Sequence, residues 1–184
     1  GRVKGDEKIE GNTRYDTNYL ILKRYLKDKQ SILVASGRDW ADGASALGTQ
    51  RPILLVSDFV NKKQINLLSK FDGLEFTILG SVAAVSKTVE DQLAEIGTVT
   101  RLDGRDRYQT SALTAKHFHP KANTIICVNA WADAVAAAQI GDYPILLLSD
   151  HRNDDAKEYV RTLKVKKIFA IGSVLEERVA ELFE

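Results

Sequence analysis

Apolar residues along this chain fall into short, dense blocks: Ile32-Leu33-Val34-Ala35, Ile53-Leu54-Leu55-Val56, Ile125-Ile126-Cys127-Val128 and Ile145-Leu146-Leu147-Leu148. The blocks do not alternate apolar with polar, which is the pattern of strands covered on both faces. Longer stretches with helical spacing lie between them. The first half predicts a helix over about 16–28, a strand over 31–36, a helix over 41–48 and a strand over 52–57. A helix over 61–71, a strand over 75–79, a helix over 86–96 and a strand over 98–102 follow, and then the order begins again. Strands regularly separated by helices imply right-handed crossovers and a parallel sheet.

The recurrence extends to individual residues. Ile9-Glu10-Gly11-Asn12-Thr13-Arg14-Tyr15-Asp16-Thr17 lines up with Leu102-Asp103-Gly104-Arg105-Asp106-Arg107-Tyr108-Gln109-Thr110 at an offset of 93. Trp40-Ala41-Asp42 matches Trp131-Ala132-Asp133 at 91, and Pro52-Ile53-Leu54-Leu55 matches Pro144-Ile145-Leu146-Leu147 at 92. Ile78-Leu79-Gly80-Ser81-Val82 is nearly repeated as Ala170-Ile171-Gly172-Ser173-Val174. Blocks in the same order, with gaps confined to loops, mark a duplication. The expected fold is α/β: two tandem copies of a small, open, mostly parallel sheet unit, over 8–97 and 98–184.

Composition narrows the function classes. The chain has 184 residues, 44% hydrophobic and 28% charged, enough to form a core. Its apolar runs are too short to span a bilayer. A net charge of +1 argues against a dedicated nucleic-acid binder. A single cysteine excludes a disulfide framework or a multi-Cys zinc site, and Cys127 reads as a small buried hydrophobe. There is no methionine. A signal peptide removed by processing would leave no trace, so its absence does not argue for the cytoplasm.

The repeated polar residues are the candidates for chemistry. Thr13-x-x-Asp16 and Asp106-x-x-Gln109 resemble capping boxes that open a helix. Arg14 and Arg107 then either pair with nearby carboxylates, foremost Asp42 and Asp133 of their own repeats, or present forks to phosphate or carboxylate on a ligand. Tyr15 and Tyr108 read as packed rings or as an aromatic face. Ser36-Gly37-Arg38 leads from a strand toward a helix, where open α/β sheets bind ligands. Trp40 and Trp131 read first as core residues, with sugar stacking as the alternative. Lys157, Arg161, Lys164, Lys166 and Lys167 form a basic stretch that reads as a solvated face or as a further anion contact. Enzyme signatures are missing: no P-loop and no Gly-x-Ser-x-Gly occurs, and none of His117, His119 and His151 recurs in the other copy. No metal, cofactor or catalytic residue is therefore assigned.

Taken together, these blocks resemble the cell-wall-binding repeat type 2 family of Gram-positive surface proteins. The family pattern runs approximately Arg-hydrophobic-x-Gly-x-Asp-Arg-Tyr-x-Thr, matched by Arg101-Leu102-Asp103-Gly104-Arg105-Asp106-Arg107-Tyr108-Gln109-Thr110. Ala35-Ser36-Gly37-Arg38-Asp39-Trp40-Ala41-Asp42 and Ile78-Leu79-Gly80-Ser81-Val82-Ala83-Ala84-Val85-Ser86 match its later blocks. The usual Gly-Gly is Gly80-Ser81 and Gly172-Ser173 here, Lys8 and Thr13 stand where the pattern has Arg and Asp, and the second copy lacks the Ser-Gly loop.

The resemblance implies Toprim-like α/β units, usually three in tandem where this chain has two. It also implies an extracellular, wall-located module that attaches a surface protein non-covalently to an anionic, teichoic-acid-like wall polymer. The alternatives are a structural or protein-interaction unit that self-associates, and an α/β phosphate-ester hydrolase.

Overall fold

The computed structural model describes residues 8–39, 42–151, 153–174 and 176–184. The first repeat opens with α1 (Arg14–Tyr25), where the Thr13 side chain accepts from the Asp16 amide at 3.2 Å. β1 (Ser31–Ser36) follows, and then a short 3-10 helix, Gly43–Thr49. The sequence predicts an ordinary helix there. Gly43, Ser45, Gly48 and Thr49 are weak helix formers, and Gln50 ends the segment in the left-handed region at φ 53.

β2 (Ile53–Val56), α2 (Lys62–Leu68), β3 (Glu75–Leu79) and α3 (Lys87–Ala94) complete that half. β4 (Thr98–Leu102) leads to α4 (Arg107–Phe118), whose N-cap Asp106 accepts from the amides of Tyr108 and Gln109 at 3.0 and 2.9 Å. β5 (Thr124–Val128), α5 (Trp131–Ala137), β6 (Ile145–Leu147), α6 (Asp154–Arg161), β7 (Lys167–Ile171) and α7 (Glu176–Ala180) finish the chain.

All strand pairs are parallel, in two sheets of order β2-β1-β3-β4 and β6-β5-β7. By sequence period β4 begins the second copy, yet it pairs with β3 of the first sheet, with Leu79 opposite Leu102. α1 and α4 dock on the edge strands in the same way. The Leu55 amide donates to Asn18 Oδ1 at 2.9 Å, and the Leu147 amide donates to Ser111 Oγ at 3.0 Å.

Burial on both faces of each sheet explains the unbroken apolar runs. Ile32 and Val34 face a cluster with Leu22, Leu67, Val89 and Leu93, so α1, α2 and α3 cover one side of the first sheet. Leu33 and Leu79 face the other side, where Ala46 of the 3-10 helix covers them. Two residues earlier, Ala44 packs instead with Ile126, Val128 and Ile145 of the second sheet. The 3-10 helix therefore lies between the two sheets and contributes to both cores.

Polar contacts tie the same seam. Ser45 Oγ donates to Thr114 Oγ1 at 3.3 Å, Gln50 Nε2 donates to the Ala138 carbonyl at 2.8 Å, and Arg51 lies 4.4 Å from the Phe118 ring centroid. Cys127 is fully buried in the second sheet, and burial pushes its thiol up to about 12, which leaves it inert at neutral pH.

Candidate functional site

Parallel strands bring their following loops to one edge of the sheet. At that edge of the first sheet, a polar cleft of about 220 Å³ is lined by Asp39, Asp42, Ser81, Gly104, Asp106 and Arg107, with Arg105 at its rim. Residues following β1, β3 and β4 meet there at the start of α4, whose first amides are already capped by the Asp106 carboxylate, so the arginine side chains supply the positive charge of the cleft. The cleft is thus built across the repeat boundary.

Asp42 is its half-buried member. Burial holds the Asp42 carboxyl above the usual carboxylate range, opposed by a hydrogen bond with the Thr110 side chain. The charges of Asp39 and Asp106 act with burial, and Arg107 acts against it. The recurrence of Arg and Asp predicts a pairing of Asp42 with Arg14 inside its own repeat. The structure instead sets Asp42 beside Arg107 and Thr110 of the second repeat, because packing of the 3-10 helix against α4 carries the aspartate across the seam.

Gly80 leaves room for this carboxylate: its φ is +93, and a Cβ there would lie 2.5 Å from Asp42 Oδ2. The same local arrangement recurs at Gly172, φ +83, where a Cβ would overlap the carboxylate of Asp133.

A raised native pKa makes a stability prediction with a definite sign. The unfolded chain ionises Asp42 near 3.8, before the folded protein does, so native stability falls as pH rises through that interval. The loss is complete above the folded pKa. Asp42→Asn removes it, and we expect a higher thermal midpoint than wild type at pH 7. The difference should vanish below pH ~3.8, where the group is protonated in both states. Melting curves at pH 3 and pH 7 check this, and a variant less stable at pH 7 would show that attraction to Arg107 outweighs desolvation.

The other predicted residues fall into two groups. Arg14, Tyr15, Ser36 and Arg38 gather at the end of β1. Arg14 Nη1 donates to the Gly37 carbonyl at 2.6 Å, the Tyr15 hydroxyl would lie 3.0 Å from a Cβ on Gly37, and the Arg38 amide donates to Ser36 Oγ at 3.2 Å. Tyr108 packs beside Val128, Ala134 and Ile145, so in both copies the tyrosine packs inward while Arg14 and Arg107 stay exposed.

Trp131 and Asp133 lie apart on α5. Trp131 is 54% exposed, against the expectation of a core residue. As the first residue of its helix it stands at the mouth of an apolar hollow shared with Val135, Leu47, Ile53 and Leu55. Trp40 lies outside the described residues.

The sequence reading misses two arrangements. Arg101 Nε donates to Glu90 Oε2 at 2.9 Å and its Nη1 to the Gly80 carbonyl at 3.0 Å, which clamps β4 and α3 to the glycine turn beneath the cleft. The bond from Arg101 holds the Glu90 carboxyl below its usual range. Asp58, which looks isolated in the sequence, meets Arg38 in a two-bond pair. Its signal was available in retrospect, since Arg38 and Asp58 follow adjacent strands.

Among the described residues no group of three or more His, Cys, Asp or Glu is placed to hold a metal ion. Of the basic stretch, Arg161, Lys164, Lys166 and Lys167 are exposed, and they lie toward the opposite, amino-terminal end of β7.

Comparison with known proteins agrees with the repeat and the fold. A family model described as cell wall binding domain 2 matches residues 8–90 and 101–175. The amidase enhancer of Bacillus subtilis is 23% identical over 97% of this chain, which covers 27% of that protein. The N-acetylmuramoyl-L-alanine amidase LytC of the same organism is 30% identical over 76% of the chain and 30% of its own length. Cwp8 from Clostridium difficile superposes with a TM-score of 0.83 at 25% identity, over 96% of this chain and 33% of that one. The chain thus spans about a third of the length of each of these proteins.

Proposed function

Because the chain belongs to the cell wall binding domain 2 family, we propose that its two repeats, taken as 8–97 and 98–184, hold a surface protein on the wall through an anionic, teichoic-acid-like polymer. Association with the cell wall follows from the family itself, and among the described residues no helix is long and apolar enough to cross a membrane. The observation that carries the polymer reading is the pair of exposed arginines, Arg14 and Arg107, at equivalent helix starts.

Each presents a guanidinium at a capped helix start, and a polymer that repeats its negative charge engages both sites at once. Binding without turnover is the activity proposed, in keeping with the description of the family as a wall-binding domain.

The test is co-sedimentation of the protein with purified Gram-positive walls across a salt series, before and after acid extraction of anionic polymers. Retention should fall with salt and disappear on extraction. The double variant Arg14→Glu/Arg107→Glu should bind about thirtyfold more weakly, from two lost charge-assisted contacts of about 1 kcal/mol each. Equal retention on extracted walls would sink the polymer reading. A second reading, self-association or a protein partner, is favoured by the apolar hollow at Trp131 and Val135, and concentration-dependent mass without wall binding would support it instead.

A further inference from the structure

The loops that follow β1, β2 and β3 hold an arrangement that the charge reading leaves unused. Arg38 Nη1 donates to Asp58 Oδ1 at 2.6 Å, and Nη2 donates to Asp58 Oδ2. The two side chains remain 62% and 64% exposed. As a unit the pair is electrically neutral, because the carboxylate already fills the guanidinium fork, so it is poorly suited to capture a phosphate. With both side chains largely exposed, it still has N–H donors and carboxylate lone pairs open to a ligand. That is the complement of neighbouring hydroxyl groups.

The residue next to Asp58 is Phe59, 53% exposed. A single exposed apolar side chain is ordinary, but this one is not left out by slack backbone. On one side of it, Ser86 Oγ donates to the Asp58 carbonyl at 2.6 Å. On the other, Val60 is 1% exposed, its amide donates to Gln92 Oε1 at 2.8 Å, and Gln92 Nε2 donates to its carbonyl at 3.3 Å. The turn is pinned on both sides of the ring, which holds Phe59 outward in a fixed frame. The Ser86 bond also draws the loop leaving β3 across to the loop leaving β2, and that loop carries a second exposed apolar residue, Val82, at 58%.

We propose that Phe59 and the Arg38–Asp58 pair form a subsite for a neutral hexose ring of the wall polymer, its C–H face against the phenyl ring and its hydroxyls bonded by Arg38 and Asp58. The inference rests on the wall-polymer reading and divides the labour within it: Arg14 and Arg107 take the charge, and Phe59 takes the sugar. The second repeat is built differently. His151 stands at the position equivalent to Phe59, and the loop after β5 carries Asn129, whose Nδ2 donates to Ser173 Oγ at 3.0 Å. Sugar recognition therefore belongs to the first repeat.

The experiment compares binding of the full chain to poly(glycerol phosphate) with and without hexosyl substituents, for wild type, Phe59→Ala and Phe59→Trp. Wild type should prefer the hexosylated polymer by about three- to tenfold, the size of one aromatic contact. Phe59→Ala should lose that preference while binding the bare polymer unchanged. Phe59→Trp should keep it and report the sugar by a shift in its fluorescence that the bare polymer does not cause. Equal wild-type affinity for the two polymers, or a preference that survives Phe59→Ala, would overturn the subsite and leave charge-based wall binding intact. A Phe59→Ala variant weakened equally on both polymers would make Phe59 a scaffold residue and overturn it as well. Failure of wild type to bind either polymer or whole walls would remove the wall-polymer reading and the subsite with it.

Discussion

Gly48→Val is expected to open the seam between the repeats and lower the thermal midpoint by on the order of 10 °C. Gly48 is buried in the 3-10 helix with the second repeat directly against its backbone. A Cβ at this position would overlap the carbonyl oxygen of Tyr143 and lie 2.9 Å from Ile145 Cγ1 and 3.2 Å from the Ile145 amide. Most of that obstacle is main chain at the entry to β6, and main chain cannot rotate out of the way as a side-chain tip can. Overpacking of this kind costs about 3 kcal/mol.

The cost falls on a structure that both cores share. Ala44 and Ala46 on the same helix turn face the second and the first sheet respectively, so pushing the helix away from β6 loosens one core and dragging it along loosens the other. Circular-dichroism melts should show a lower midpoint and a broader or split transition. A single transition at the wild-type midpoint would mean the seam has slack at Gly48.

Gly80→Val has a comparable expected effect from a different cause. Gly80 has φ +93, a backbone state that a β-branched residue adopts only under strain of about 1–3 kcal/mol. The added Cβ would also lie 2.5 Å from Asp42 Oδ2 and 3.1 Å from Ala84 Cβ. Moving Asp42 away leads it toward Thr110 and Arg107, and moving the turn away pulls on the Gly80 carbonyl that Arg101 holds at 3.0 Å.

We expect about 3 kcal/mol of lost stability, and with it weaker retention on walls even under conditions where the variant stays folded. That second readout separates Gly80 from an ordinary buried position. A substitution in the apolar core, such as one at Leu93, should lower the melt without changing the salt dependence of binding by the folded fraction. Unchanged binding by folded Gly80→Val would detach the turn from the site.

Much of this fold can be read along the chain. The strands at 31–36, 75–79 and 98–102 are where the pattern puts them, the first two because a strand buried on both faces needs a largely apolar run and the last as a half-buried edge strand. Thr13 and Asp106 announce the helices they cap. The seam is harder to read. Thr110, Ser111 and Thr114 on α4 are at most 1% exposed, although they are polar. They are buried because the small-residue helix of the other repeat comes close enough to exclude water, and periodicity carries no information about which partner covers a face.

The site divides along the same line. The residue types at the helix starts were legible, since the two copies agree on them. The joint role of Arg38, Asp58 and Phe59 was harder to see, since the second copy keeps the aspartate as Asp150 but has His151 in place of Phe59 and lacks the loop that carries Arg38.

Strand β4 has a further meaning when the protein is considered as the product of copying. With the second copy taken to begin at 98, the period of the sequence and the unit of folding are out of step by one strand, since the segment that opens that copy closes the sheet of the first. A joint cut at the period boundary severs that sheet from its own edge, whereas a joint placed after Leu102 leaves it whole. Such a chain lengthens safely only by whole periods inserted in register, each newcomer lending its first strand to the neighbour before it. Accretion of this kind resembles laying tiles with overlapping lips. The lip makes an array easy to extend and a single tile hard to lift out.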